Sequence, residues 1–372
     1  MRRLFLGLAL IMSALLLFAK NGEKQAFYVG TFTNGKSKGI YLCELDKESG
    51  KIVLKQTFAG IDNPSFLKVS PDKKFLYVVG RAPNKIESSG GYVQAYAIGK
   101  NNQIRFLNKQ ISHGADPCHI DVSPDGKLVA IANYSGGNLA LYPVDMNGYL
   151  QKASSIINNR GSSVNKDRQT KPHAHSIKFS PKNNMVFSAD LGTDQLDIFK
   201  LENNQLKKYD QKFVKMDPGA GPRHFTFYEK GDFIFVINEL NSTISTVKQK
   251  DENWEIIQTV STLPSSYEGV SYCADIHVSP DGNYLYGSNR GHNSIAVFRI
   301  DKESKELIPI GFVPTEGDWP RNFSLTPDGD LMLVANQNSG NITVFKIDRS
   351  TGIPAFTGEE IKLPSPVCIE FL

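Results

Sequence analysis

The chain has 372 residues, 40% hydrophobic and 22% charged, which places it among ordinary folded globular proteins rather than disordered or fibrous ones. The formal net charge of +4, which falls to +2 without Arg2 and Arg3, argues against an electrostatic nucleic-acid binder. No basic stripe with interleaved aromatics occurs either.

In chain order, Met1-Arg2-Arg3 precedes an almost unbroken apolar run from Leu4 to Ala19, followed by polar Lys20 to Glu23. A basic start, an apolar stretch of this length and a small residue before a polar segment predict a secretory signal peptide over residues 1–19. A transmembrane anchor of marginal length is the alternative, and no cysteine follows the run to mark a lipoprotein. The expected mature protein is exported, periplasmic or extracellular, with no membrane association after signal removal.

From Phe27 onward one pattern recurs. The segments beginning at Pro64, Pro117, Ala174, Pro222, Cys273 and Pro320 each hold a short alternating strand, a turn, and a second apolar strand. The turn is Ser-Pro-Asp-Gly in its fullest form (Ser123 to Gly126, Ser279 to Gly282), where proline presets φ and glycine accepts positive φ. A third strand follows, as at Gln195-Leu196-Asp197-Ile198-Phe199, and weaker outer strands begin near Leu150, Leu206, Trp254 and Leu307. The C-terminal segment from Pro366 resembles a first strand, and Phe27 to Phe32 with Gly39 to Leu45 resembles second and third strands. Joining them gives a seventh unit and removes open sheet edges. The prediction is an all-β, seven-bladed β-propeller over residues 27–372, one domain. The cysteines Cys43, Cys118, Cys273 and Cys368 fall in separate blades, which favours buried free thiols over disulfides.

The repeat frame also projects side chains onto one face. Six positions before the turn proline, at the start of the innermost strand, lie Ser65, Cys118, His175, Arg223, Ala274, Arg321 and, by closure, Val367. Ten positions after it lie Arg81, Tyr134, Leu191, Glu239, Arg290 and Gln337. In antiparallel neighbours the start of one strand adjoins the end of the next, so both sets belong at one mouth of the central channel. His173, His224, His119 and Asn289 are adjacent in sequence. Divergence from a bland repeat concentrated in one sector is what a binding site on a symmetric scaffold produces, although charged residues at a channel mouth also occur simply solvated or ion-paired.

The chemistry suits a small anion: guanidinium groups bind carboxylate or phosphate in paired, charge-assisted bonds. Glu239 among arginines stays ionised and can hold a hydroxyl or activate water. His173 and His175, two apart, share a face if they lie on a strand, and either can transfer a proton. Arg223 and Arg290 can stabilise an oxyanion. A zinc site on the two histidines lacks an obvious third ligand, and no Gly-x-Ser-x-Gly motif supports a serine nucleophile. No metal and no cofactor is expected.

The segments Pro172-His173-Ala174-His175-Ser176, Asp190 to Asp194, Gly221-Pro222-Arg223-His224-Phe225, Asn238-Glu239-Leu240, Ser288-Asn289-Arg290-Gly291-His292 and Pro320-Arg321-Asn322-Phe323 occur in an order and spacing that resembles the lactonase propeller family. That family contains propeller-type 6-phosphogluconolactonases and fungal carboxy-muconate lactonising enzymes. The resemblance implies a metal-free site of one histidine (His173 or His175), Arg223, Glu239 and Arg290. Arg321, Arg81, His224, His119, Gln337 and Asn289 are the substrate-binding candidates. The function expected is hydrolysis of a small anionic lactone, or binding of a sugar acid, with no nucleic-acid partner; a monomer is compatible with this reading. The rivals are a non-catalytic exported propeller binding an acidic sugar or envelope partner, a lactone-forming cycloisomerase, and a calcium-dependent gluconolactonase, which would need acidic or amide ligands around one ion.

Overall fold

The computed structural model describes residues 23–82, 90–182, 184–228 and 231–372. The predicted signal segment lies outside them. Seven four-stranded antiparallel sheets follow one another around a ring. Blade 1 joins the chain ends, with Pro366–Phe371 innermost, then Lys24–Thr31, Gly39–Asp46 and Ile52–Ala59. The inner strands of blades 2 to 7 are Pro64–Val69, Pro117–Val122, Ala174–Phe179, Pro222–Tyr228, Tyr272–Val278 and Pro320–Leu325. Closure is an ordinary ladder, with Val29 opposite Ile369 and Tyr28 opposite Glu370. The outer strand of blade 3 is shorter than its sequence suggested, Ser155–Asn158, because the chain makes an isolated Val144–Leu150 bridge before entering it.

The recurring turn has a simple mechanism. In blades 2, 3, 6 and 7 the Ser or Thr hydroxyl before proline bonds the aspartate two residues on (Ser123 Oγ to Asp125 Oδ1, 2.7 Å). The same hydroxyl accepts the backbone N–H that opens the second strand (Leu128 N to Ser123 Oγ, 2.9 Å). Gly126, Gly282 and Gly329 follow at φ of +72°, +72° and +76°, where a β-carbon would be strained.

Seven apolar clusters fill the seven blade interfaces. Between blades 4 and 5, for example, Phe187, Ile198, Phe225, Val236 and Trp254 pack together, and between blades 7 and 1 Val29, Leu333, Val344 and Ile369 do so. Truncating a fully buried phenylalanine such as Phe225 costs about 3–5 kcal/mol in cores of this kind. All four cysteines are buried and free, as the blade assignment implied.

One regularity was invisible in the sequence pattern. Each innermost strand carries a β-bulge at its start, and the residues the bulge leaves out of the ladder include Ser65, Cys118, His175, Arg223, Ala274, Arg321 and Val367. A bulge turns a side chain away from the ladder's alternation. Here it occurs once per blade, at the same channel position.

Candidate functional site at one channel mouth

Glu239 follows the second strand of blade 5 and is only 4% exposed. Its Oε1 lies 2.7 Å from Arg168 Nη2, and its Oε2 lies 3.0 Å from Arg223 Nε and 2.8 Å from Arg290 Nη2. Burial works to raise this carboxyl, but Arg290, Arg223 and Arg168 outweigh it and hold the group far below the ordinary carboxylate range. Arg223, 1% exposed, also donates through Nη1 to the Ala274 carbonyl and to His224 Nε2. Burial and the neighbouring Arg290 pull its guanidinium down to about 10, so it remains cationic at neutral pH. Arg290 donates to the carbonyls of Tyr272 (3.3 Å) and Cys273 (2.8 Å), and its guanidinium lies 5.3 Å from the Trp319 ring.

Two further arginines face the mouth with little to neutralise them. Arg81 has one carboxylate, Asp116, at 3.7 Å, and its Nε is buried without a hydrogen-bond partner. Arg321 makes no hydrogen bond or ion pair with any described residue; burial, then Arg223, Arg290 and Arg81, push its guanidinium well below its usual range. Both guanidinium centres lie 5.2 Å from the Phe32 ring. Gln337 Oε1 is likewise buried and unbonded. An arginine surplus with unsatisfied donors is the electrostatic image of a missing anion.

The histidines separate. His175 is 4% exposed, with Nδ1 3.8 Å from Cys118 Sγ. His173 precedes the inner strand of blade 4, and the bulge at His175 breaks the two-residue alternation, so the expectation that they share a strand face is corrected. Both nevertheless meet Tyr134: His173 stacks on it at 4.5 Å and His175 approaches edge-on at 5.3 Å. His173 Nδ1 lies 3.0 Å from the Tyr134 carbonyl, which fixes the proton on Nδ1 and leaves the Nε2 lone pair free. Burial lowers both imidazoles, so both are neutral near pH 7.

The adjacent residues do not all join this mouth. His224 and His119 lie deeper and line a cavity of about 150 Å³ toward the opposite end, together with Lys68, Asp121, Lys178, Asp275 and His277. His224 Nδ1 donates to Asp275 Oδ1 at 2.7 Å, and His277 Nε2 lies 3.0 Å from Asp275 Oδ2. Asn289 is fully buried within blade 6, bonded to the Thr262 hydroxyl (2.8 Å) and carbonyl (2.7 Å). Its amide is spent on holding the loop that enters the inner strand, so its place beside Arg290 in sequence misled the projection.

Sequence reasoning missed Arg168, Tyr272 and Trp319. Arg168 and Trp319 lie outside the regular strands, and Tyr272 opens the inner strand of blade 6 ahead of the counted position, Ala274. The one available signal was the length of the connection carrying Arg168, residues 159–173, against 262–271 for the next longest between blades. Long structured connections in compact folds are disproportionately functional.

A family model described as a seven-bladed β-propeller lactonase matches residues 26–371. The chain belongs to that lactonase family. Among its relatives in the family, the 6-phosphogluconolactonase of Bacillus subtilis is 36% identical over 93% of this chain and 97% of its own length. The 6-phosphogluconolactonase of Formosa agariphila is 37% identical, covering 80% of this chain and 85% of the relative. The solved structure of the periplasmic gluconolactonase of Pseudomonas aeruginosa superposes with a TM-score of 0.89 at 29% identity, over 94% of this chain and 99% of the other. Among the described residues, no group of histidine, cysteine and carboxylate side chains is arranged to hold a metal ion.

Proposed function

We propose that this lactonase-family propeller hydrolyses an anionic sugar lactone at the arginine-rich mouth, after export and removal of residues 1–19 from a single propeller domain spanning 27–372. The observation that carries the reading is the Glu239 carboxylate at the focus of three guanidinium groups, beside two more: Arg81, whose one carboxylate, Asp116, lies at 3.7 Å, and Arg321, which pairs with no described residue. Arg81 and Arg321 hold the substrate's phosphate or carboxylate. Glu239 takes a proton from water as its oxygen attacks the lactone carbonyl carbon. Arg223 Nη2 and Arg290 Nη1, which have no partner among the described residues, receive the developing oxyanion. The ring C–O bond then breaks, and the leaving alkoxide receives a proton from Glu239 or through His173 or His175. One water is consumed and one hydroxy acid is produced. His224 steadies Arg223 from beneath through Nε2, with His119 packed edge-on against it, and Gln337 offers its carbonyl oxygen to a substrate hydroxyl.

The names of the relatives support lactone chemistry. Export rests on residues 1–19 and accords with the periplasmic Pseudomonas neighbour. The test is hydrolysis by the mature chain in a pH-stat of 6-phosphogluconolactone, gluconolactone and a carboxylated lactone, with and without EDTA. Turnover above the spontaneous rate, insensitive to EDTA, is the expected result. No acceleration on any of the three would leave a propeller that binds a sugar acid without converting it.

A further inference from the structure

Glu239, Arg223 and Arg290 are 4%, 1% and 5% exposed, so a lactone has no direct path to the carboxylate. What covers it is the side chain of Arg168, itself 35% exposed. Its Nη2 donates both to Glu239 Oε1 at 2.7 Å and to the Tyr134 hydroxyl at 3.0 Å, and its guanidinium lies 6.0 Å from the Tyr272 ring. It therefore reaches from blade 3 to blades 5 and 6, while its Nε and Nη1 donate to no described residue. Three N–H donors are left unused on a group that already touches the carboxylate.

The backbone that presents Arg168 is firmly held. Asn165 Oδ1 accepts the N–H groups of Asp167 (3.0 Å) and Arg168 (3.1 Å), and Gln169 N donates to the Asn165 carbonyl. Gln169 Nε2 donates to Asp194 Oδ1 at 2.6 Å and to the Leu191 carbonyl at 2.8 Å. Buried Asp194 also accepts from Ser163 Oγ and from the N–H groups of Gly219 and Gly221. Any movement thus belongs to the Arg168 side chain, which turns on its own flexible stem over a fixed base.

With Arg168 in place, both Glu239 oxygens are occupied by cations and the carboxylate is a poor base. An incoming phosphate or carboxylate offers Arg168 a second anion and its idle donors a bidentate partner. A neutral lactone offers neither. We propose that Arg168 is the specificity-determining cap of this site: an anionic substrate draws its guanidinium off Glu239, opening the way to the carboxylate and restoring its Oε1 as a proton acceptor, whereas a neutral lactone leaves it clamped. The role rests on the lactonase reading above and adds that discrimination is exerted on the chemical step as well as on binding.

Two measurements separate this role from that reading. The first compares kcat and KM of the wild type and of Arg168→Met, which keeps the stem, on gluconolactone and 6-phosphogluconolactone, whose rings are the same. The wild type is expected to favour the phosphorylated lactone in kcat. Arg168→Met is expected to shrink that kcat ratio about tenfold or more, with kcat on the neutral lactone raised and the acid limb of the kcat/KM profile shifted to higher pH. An unchanged kcat ratio, whether both rates fall together or only KM for the phosphorylated lactone rises, overturns the cap. The second is a crystal soaked with the hydroxy acid product, 6-phosphogluconate, which requires no turnover. Arg168 bonded to the phosphate and parted from Glu239 supports the cap even if no lactone proves to be hydrolysed; Arg168 still on Glu239 with the phosphate bound elsewhere refutes it even in an active enzyme.

Discussion

The two ends of the channel are built from the same seven strands, yet they use charge in opposite ways. At the far end the acceptors are stitched into the scaffold. Asp121 Oδ2 accepts Phe179 N (2.9 Å), Glu370 Oε1 accepts Val69 N (3.0 Å), and Asn322 Oδ1 accepts Ile369 N (2.7 Å), each from a neighbouring blade. Asp275 gathers His224, His277, Asn322 and, at 3.4 Å, Phe323 N. Such bonds satisfy buried backbone donors where one sheet abuts the next. At the near end Arg81, Arg168, Arg223, Arg290 and Arg321 face Glu239 and Asp116, and several of their nitrogens bond no described residue. Polar residues at equivalent channel positions thus divide into those that close the ring and those that await a ligand. The division follows from counting partners.

The largest effect expected from this contrast comes from Glu239→Gln. Removing the proton acceptor from the near mouth should lower kcat on any accepted lactone by about a hundredfold to ten-thousandfold. The Tm should fall as well, because an amide nitrogen cannot accept from the arginines one carboxylate oxygen now meets, and their charge loses its counter-anion. The kcat is therefore compared well below the variant's midpoint; a folded variant with undiminished kcat would remove Glu239 from the chemistry.

Asp275→Asn tests the opposite end, where stability should suffer and turnover should largely survive. An amide nitrogen cannot accept from all the donors Asp275 now gathers, so stability should fall by about 3 kcal/mol, read by urea denaturation. The kcat should fall only as far as Arg223 shifts through its contact with His224. The interior imidazoles add a pH signature. Burial lowers His119, His175 and His224, the last to about 3, below the unfolded value near 6.5. A depressed folded pKa means the contribution is complete above about pH 6.5 and lost as the pH falls toward the folded value. Denaturation at about pH 5 should therefore show lower stability than at about pH 7; equal stability would mean that these rings are not held neutral.

Much of this was legible in the sequence, for physical reasons that also mark the limit. Turn chemistry and strand alternation are local, so Ser123 to Gly126 and its repeats gave the blades, and the orphan strand at Pro366 gave the closure. Repeat arithmetic brought Glu239, Arg223, Arg290, Arg81 and Arg321 to one mouth because position in a blade fixes height along the channel. It failed where geometry is not periodic. The bulge at His175 separates it from His173, Asn289 is turned into its own blade, and Arg168 arrives on a connection that belongs to no repeat. Whether an arginine is paired is a matter of distances, which the repeat frame does not contain.

A smaller effect at the near mouth is expected from Arg321→Met, which removes a cation bonded to no described residue while keeping apolar volume against Phe32. KM for an anionic lactone should rise about tenfold to a hundredfold, the scale of a charge-assisted pair, while KM for a neutral one stays put. Stability should increase slightly, because a half-buried cation that pairs with no described carboxylate has been removed.

The smallest effect sharpens the comparison most, since it changes the same unit of charge at the far end. Lys68 pairs with Glu370 at 3.1 Å, but its side chain is 38% exposed and Glu370 keeps the Val69 N–H when the lysine is lost. Exposed pairs of this kind contribute about 0–1 kcal/mol, so Lys68→Met should shift the Tm by little and leave KM for anionic and neutral lactones unchanged. A rise in KM for the anionic lactone matching that of Arg321→Met would mean that the substrate senses the net charge of the whole channel, and the distinction between a stitched end and a ligand-ready end would lose its basis. An unchanged KM localises recognition to the guanidinium groups that lack partners.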